Sequence, residues 1–418
     1  MGKGNEIKIA IPALRFPEFQ DTEGWKEYIL GDFLLEQPRY GINAPAVPFL
    51  EELPTYIRIT DISENGCFLP NPKVSVNHGA INDFYLNIGD LVFARTGASV
   101  GKCYKYKEKD GKLVFAGFLI KVSPDQTRLS SDFLFQFTFT QQYWKWIDLT
   151  STRSGQPGIN SKELASMELY LPVKDEQQKI ADCLSSLDDL IEATAQKVRA
   201  LEKHKKGLMQ QLFPAEGKNV PDLRFPEFQG MKGWEKKQIK DFGEVITGNT
   251  PSKKEEKYWN GDFVWVTAQD FKGKYINDSI LKLTKFGKDK ARVIPKNSVL
   301  VTCIASIGLN AINKVECSTN QQINAICCNQ EYNYEYVYYL VTYNTENLKQ
   351  LAGQTAVPII TKKSFEEFEV YTIENYDEQQ KIADCLSSLD ELIETTSRKV
   401  EILKEHKKGL MQQLFPKI

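Results

Sequence analysis

Two stretches of the chain carry apolar residues at alternating steps of three and four. The first runs Ile180, Leu184, Leu187, Ile191, Val198, Leu201, Leu208 and Leu212, with Thr194 and Lys205 in the two remaining places. The second keeps the register through Ile382, Leu386, Leu389, Ile393, Val400 and Leu403, with Thr396 and Lys407 in the matching places. A 3.5-residue repeat held over about five heptads, with no internal proline, predicts a long helix in each case and makes these residues a coiled-coil seam. Pro214 and Pro416 are natural stops. At about 1.5 Å per residue each arm is roughly 55 Å long. Elsewhere the pattern is one of short β-like runs, at 56–60, 91–94, 113–122, 263–267, 299–304 and 323–327, separated by Gly, Asn and Pro turns. That pattern predicts mixed α/β domains.

The two arms are near copies. EQQKIADCLSSLDDLIEATAQKVRALEKHKKGLMQQLFP at 176–214 returns at 378–416 as EQQKIADCLSSLDELIETTSRKVEILKEHKKGLMQQLFP, an offset of 202. LRFPEF occurs at 14–19 and again at 223–228, each time followed by a tryptophan (Trp25, Trp234) and an Asp-Phe pair (Asp32 and Phe33, Asp241 and Phe242). Between these signatures the halves diverge, leaving only echoes such as YIRITDI at 56–62 against FVWVTAQDF at 263–271. Two copies are too few for a solenoid. The chain is a duplication with fixed helices and variable globular pieces.

Charge indicates how the arms pair. Asp182, Asp188, Asp189 and Glu192 open the first with no base among them, while Lys197, Arg199, Lys203, Lys205 and Lys206 close it against Glu202 alone. The second arm repeats the gradient. Antiparallel pairing sets acid against base along the seam; the same gradient also complements each helix's own dipole. An antiparallel pair is expected to throw the globular pieces to opposite ends of a rod, related by an approximate two-fold, the internal form of a dimer that reads two half-sites.

Composition narrows the function. A net charge of −2 excludes a basic DNA-binding tail, so any nucleic-acid contact must use local patches. No apolar stretch is long enough for a membrane span and the first residues lack a secretory pattern, so a cytoplasmic protein is expected. Eight cysteines without a C-x-x-C pair, and three histidines, offer no zinc framework; free thiols are expected and no metal is assigned.

Catalytic signatures are missing. There is no G-x-G-x-x-G and no Asn/Asp-Pro-Pro-Tyr/Phe. RTGASVGK at 95–102 is one residue short of a P-loop and ends at Cys103, so ATP binding is rejected. Pro221, Asp222 and Glu227 imitate a nuclease motif, but Gln229 stands where lysine is needed. No catalytic residue is assigned. The loop 95–102 suits either a strand-end turn or a polar turn that presents backbone N–H groups and an arginine to DNA. Amide-rich loops at 152–158, 247–254, 318–326 and 353–358 carry side chains that pair with base edges in the major groove. Lysine-rich runs at 282–296 and 95–112 are either solvated faces or phosphate contacts.

With LRFPEF…W, RYGINAPA and YIRITDI at 39–62, GDLVFARTGASVGK, TGNTPSKKEEKYW at 247–259 and both EQQKIA…LMQQLFP arms, nearly the whole chain resembles the DNA specificity subunit of type I restriction–modification enzymes. The resemblance implies an α+β chain: two mixed α/β target-recognition domains (1–173 and 215–375) separated by an antiparallel coiled coil of two conserved helices (174–214 and 376–418). Each domain would read half of a bipartite target in double-stranded DNA. The helices would set the spacing and dock two modification subunits that use S-adenosylmethionine, with restriction subunits using ATP and Mg²⁺. The chain itself would be non-catalytic. Mapped onto this sequence, the expected DNA contacts are Arg39, Tyr40, Arg58, Arg95, Thr96, Ser99, Lys102, Arg153 and Gln156 in the first half. In the second they are Thr250, Ser252, Lys253, Trp265, Gln269, Ser306, Gln321, Gln322 and Gln354, with Cys303 standing where the first half has Arg95. A coiled-coil adapter without DNA readout and a self-sufficient nuclease are the alternative readings.

Overall fold

The computed structural model describes residues 8–152, 155–215, 217–352 and 357–417. It divides into two compact units, Met1–Ala195 with Arg398–Ile418, and Gln196–Ser397. Each unit therefore contains the start of one arm and the end of the other.

In the first unit, Trp25–Ile29 is the middle strand of a three-stranded antiparallel sheet with Ile9–Ala10 and Glu168–Leu171. A four-stranded sheet follows in the order Arg39–Tyr40, Leu119–Val122, Leu91–Ala94, Cys103–Lys105. A second four-stranded sheet pairs Val47–Pro48, Val74–Ser75, Thr55–Ile57 and Leu113–Phe115, the last pair parallel. The apolar run at 113–122 is thus two strands in different sheets, not one. The chain turns at 116–118, where the Leu119 N–H donates to the Ala116 carbonyl at 2.8 Å, a break that apolar patterning alone does not register.

The second unit pairs Glu235–Gln238 with Glu369–Thr372 and builds a five-stranded sheet in the order Gly243–Thr247, Ile323–Cys328, Val299–Thr302, Asn310–Asn313, Tyr275–Ile276. Its first four strands follow the connectivity of the Arg39–Tyr40 sheet: first, fourth, second and third along the chain. Most of the sequence between the duplicated signatures has diverged, but this strand order has not.

The arms are helices Lys174–Leu212 and Tyr376–Leu414. Both begin with two acids, Asp175 and Glu176, Asp377 and Glu378, where the helix dipole favours negative charge. In the first unit Ile180 and Leu184 from the start of one arm share a core with Met411, Leu414 and Phe415 from the end of the other, and Lys407 reaches Asp188 at 2.7 Å. The segments therefore run antiparallel there. In the second unit Ile382 and Leu386 share a core with Met209, Leu212 and Phe213, and Lys205 reaches Asp390 at 2.5 Å. The two lysines that interrupt the apolar repeat are in this way matched to acids of the facing arm. Of the expected seam, Ile180, Leu184, Ile382, Leu386 and Val400 are buried; Leu187, Ile191, Val198, Leu201, Leu389, Ile393 and Leu403 are half-buried. His204 and His406 are exposed.

Candidate nucleic-acid interface

Each unit is fastened to its arm by the duplicated motifs. The arginine of LRFPEF, Arg15, grips Glu176 through two bonds of 2.8 and 2.6 Å, and both side chains are buried. Arg224 holds Glu378 in the same way, with both bonds at 2.8 Å. A bidentate arginine–carboxylate fork fixes orientation as well as distance. The next residue of each arm closes a second lock. Gln177 accepts from the Ser130 N–H and donates to the Arg128 and Pro172 carbonyls. Gln379 accepts from the Asn333 N–H and donates to the Glu331 and Ile373 carbonyls. At the other end of the arms, Phe415 packs on Trp25 and Phe133, and Phe213 on Trp234, Tyr336 and Tyr343.

On this mount the first unit carries a surface built around Arg95. Its guanidinium carbon lies 4.8 Å from the ring centre of Tyr40 and 5.6 Å from that of Phe118, while Nε donates to the Gly117 carbonyl at 3.1 Å. The turn 95–99 is tied to 156–159: the Gly97 N–H donates to the Pro157 carbonyl and the Ile159 N–H to that of Arg95. Gly97 has φ +68°, and a Cβ there would stand 2.7 Å from Nε2 of Gln156, so this position is kept for glycine. The Tyr40 hydroxyl accepts from the Ser161 N–H at 3.1 Å. Tyr40, Arg95, Thr96 and Gln156 are thereby brought together, with Ser99 part exposed in the same turn.

The other expected contacts of the first half are differently placed. Arg58 is spent on Asp61 at 3.0 and 2.8 Å and on the Pro72 carbonyl, and bonding to buried Asp61 raises its guanidinium further above its usual range. Lys102 pairs with Glu64 at 2.6 Å. Arg39 stands beside Tyr40 with Nε buried, 3.6 Å from Glu36 and without a hydrogen bond among the described residues. Arg153 lies outside the described residues.

In the second unit the loop 247–254 folds onto 318–322. The Thr250 hydroxyl donates to Gln321 Oε1 at 2.7 Å, and the Ser252 carbonyl accepts from the Trp259 indole at 3.2 Å. Asn249 binds the Lys290 carbonyl and the Arg292 N–H, and Arg292 donates to the Thr247 carbonyl. Thr250, Ser252, Lys253 and Gln321 thus share a surface with Arg292, and the last four of these residues are exposed. Trp265 does not join them as expected. It is 2% exposed, gives its indole N–H to the Asn249 carbonyl, and meets Trp259 edge-on at 4.9 Å. Its ring props the loop from beneath and has no face left for a base.

Gln322 is half-buried and accepts from the Asn320 side chain at 3.1 Å. Gln269 and Ser306 are exposed on separate turns. Gln354 lies outside the described residues. Cys303, at the place of Arg95, is buried, and desolvation pushes its thiol up to about 12. Sequence reasoning missed Phe118, which sits inside an apolar run and is signalled only by the preceding Ala-Gly break. It also missed Asn249, whose partners are about forty residues away in the chain.

The profile of the type I restriction modification DNA specificity domain matches residues 49–203 and again 231–405. The chain belongs to that family. As a DNA specificity subunit it is a non-catalytic part of a type I complex, and it has two target-recognition domains. The HindI specificity subunit of Haemophilus influenzae is 26% identical over 423 residues, covering 83% of this chain and 89% of that one. The MjaIX specificity subunit of Methanocaldococcus jannaschii is 36% identical over 191 residues, an alignment spanning 44% of each chain. In fold, this subunit is similar to the crystal structure of a type I restriction-modification S subunit from M. genitalium, with a TM-score of 0.64 and 15% identity over 98% of this chain and 100% of that one. Among the described residues no helix is long and apolar enough to cross a membrane.

Proposed function

We propose that each target-recognition domain reads one half of a bipartite DNA target, and that the two arms set the separation of the half-sites and dock two modification subunits. The observation that carries this reading is that the same mount recurs in each unit beneath two unlike faces. Arg15 with Glu176 and Gln177 is matched by Arg224 with Glu378 and Gln379, whereas the loops above them share almost no polar residues. A scaffold conserved by duplication beneath diverged polar loops is what independent reading of two sequences requires. The domain division that goes with it is 1–173 and 215–375 for the readers, 174–214 and 376–418 for the arms.

The base-reading groups we assign are Tyr40, Arg95, Thr96, Ser99 and Gln156 in the first domain. In the second they are Thr250, Ser252, Lys253 and Gln321, with Gln269, Ser306 and Gln322 at the margin. Arg39 is assigned to the DNA backbone. S-adenosylmethionine would be bound by the modification subunits, and ATP and Mg²⁺ by restriction subunits, all in the cytoplasm. With a net charge of −2, the chain depends on those partners to close around the duplex and supply phosphate contacts. The test is a genome-wide map of methylated adenines with and without this gene. A bipartite motif that disappears with the gene is expected; an unchanged methylation pattern refutes the proposal.

A further inference from the structure

We infer that Arg95 reads a guanine, and that it does so only in the half-site met by the first domain; this rests on the proposed reading of a bipartite target. Three observations lead there. The guanidinium is immobilised before any ligand arrives: it is stacked against Tyr40 and Phe118, and its Nε is consumed by the Gly117 carbonyl. The two terminal nitrogens have no partner among the described residues, which leaves a planar fork of donors matched to the O6 and N7 acceptors of guanine. A fork held in this way loses little rotamer freedom on binding.

The surroundings favour a base edge over a phosphate. The groups sharing this surface are a hydroxyl, an amide and two aromatic rings; Lys102, at the end of the same loop, is committed to Glu64, and Arg39, beside Tyr40, is the cation left for a phosphate. Phe118 is 55% exposed beside the guanidinium, so its ring is open to an approaching base. The second domain, built on the same sheet order, has buried Cys303 at this place. A backbone clamp needed on every duplex would be retained in both domains; a contact specific to one base need not be.

The test uses the complex assembled with its modification subunits. Methylation should be mapped for the wild type and for Arg95→Ala, Arg95→Lys and Phe118→Ala. The expected result for Arg95→Ala is that one guanine of a single half-site becomes degenerate while every other position, and the whole second half-site, is kept. Retention of the second half-site also certifies that the variant is folded. Lysine should not restore the guanine, and Phe118→Ala should relax the same position. Replacing that guanine by 7-deazaguanine should weaken wild-type binding about 10- to 100-fold and leave Arg95→Ala indifferent. Uniform loss of methylation with an unchanged motif, rescued by lysine, would identify a phosphate contact and overturn the inference, as would no effect at all. A wild type that methylates no bipartite motif refutes the underlying reading, and this inference falls with it.

Discussion

Removing one arginine should show how much the mount contributes. Arg15 and Glu176 have side chains 6% and 1% exposed, and Arg15 also donates to the Thr22 and Glu23 carbonyls. Arg15→Ala strands a buried carboxylate, a defect that costs about 3–5 kcal/mol. For a unit of this size each kcal/mol lowers the midpoint by roughly 2–4 °C, so a fall of about 6–20 °C is expected in the unfolding of the first unit. The decisive comparison is a double variant, Arg15→Met with Glu176→Gln. It removes the stranded charge yet leaves an acceptor for the Trp25 indole, now 3.3 Å from Glu176 Oε1. Calorimetry, with hydrogen exchange around Trp25 to assign the transition, should find at least half of the loss recovered. A double variant as unstable as Arg15→Ala would show that the loss does not come from an uncompensated buried charge.

Other expectations follow from single contacts. Phe415→Ala should cost about 3–5 kcal/mol and lower the transition of the first unit only, because its ring packs on Trp25 and Phe133; calorimetry that finds the second unit affected instead would contradict the shared core. Gln177→Ala deprives three backbone groups of their partner and should cost about 1–3 kcal/mol, with faster exchange of the Ser130 amide as the local readout. Burial pushes the Cys303 and Cys317 thiols up to about 12, so at pH 8 they should resist alkylation while the half-buried Cys67 reacts, as mass spectrometry would show. In the unfolded chain these thiols titrate near about 8.5. The preference for the folded state is therefore full below that pH and is lost as pH rises towards 12, by up to about 1.4 kcal/mol per pH unit for each thiol; a flat unfolding midpoint across that range would contradict it.

The arms were legible because a 3.5-residue repeat needs no knowledge of tertiary structure, and Lys205 and Lys407 became intelligible once each met an acid of the facing arm. The duplicated LRFPEF was visible as a pattern but mute as to purpose, since the partner of Arg15 lies 161 residues on. Trp265 shows the opposite failure. Its neighbourhood was found, but residue type could not tell an exposed stacking platform from a buried prop. Arg58 shows a related limit: its guanidinium is bonded to Asp61, three residues away, through a local turn that charge counting does not reveal. Tyr40, Arg95 and Gln156 converge only because strands distant in the chain end at one rim.

The claim on which the rest depends is that two diverged readers, each on its own copy of the same mount, act separately. Exchanging residues 20–170 for those of a relative with a different target, then mapping methylated adenines in cells carrying the chimera, tests it most directly. The account predicts that one half of the methylated motif changes while the other half and the spacer stay as they were. A chimera that assembles and methylates but alters both halves, or neither, contradicts it.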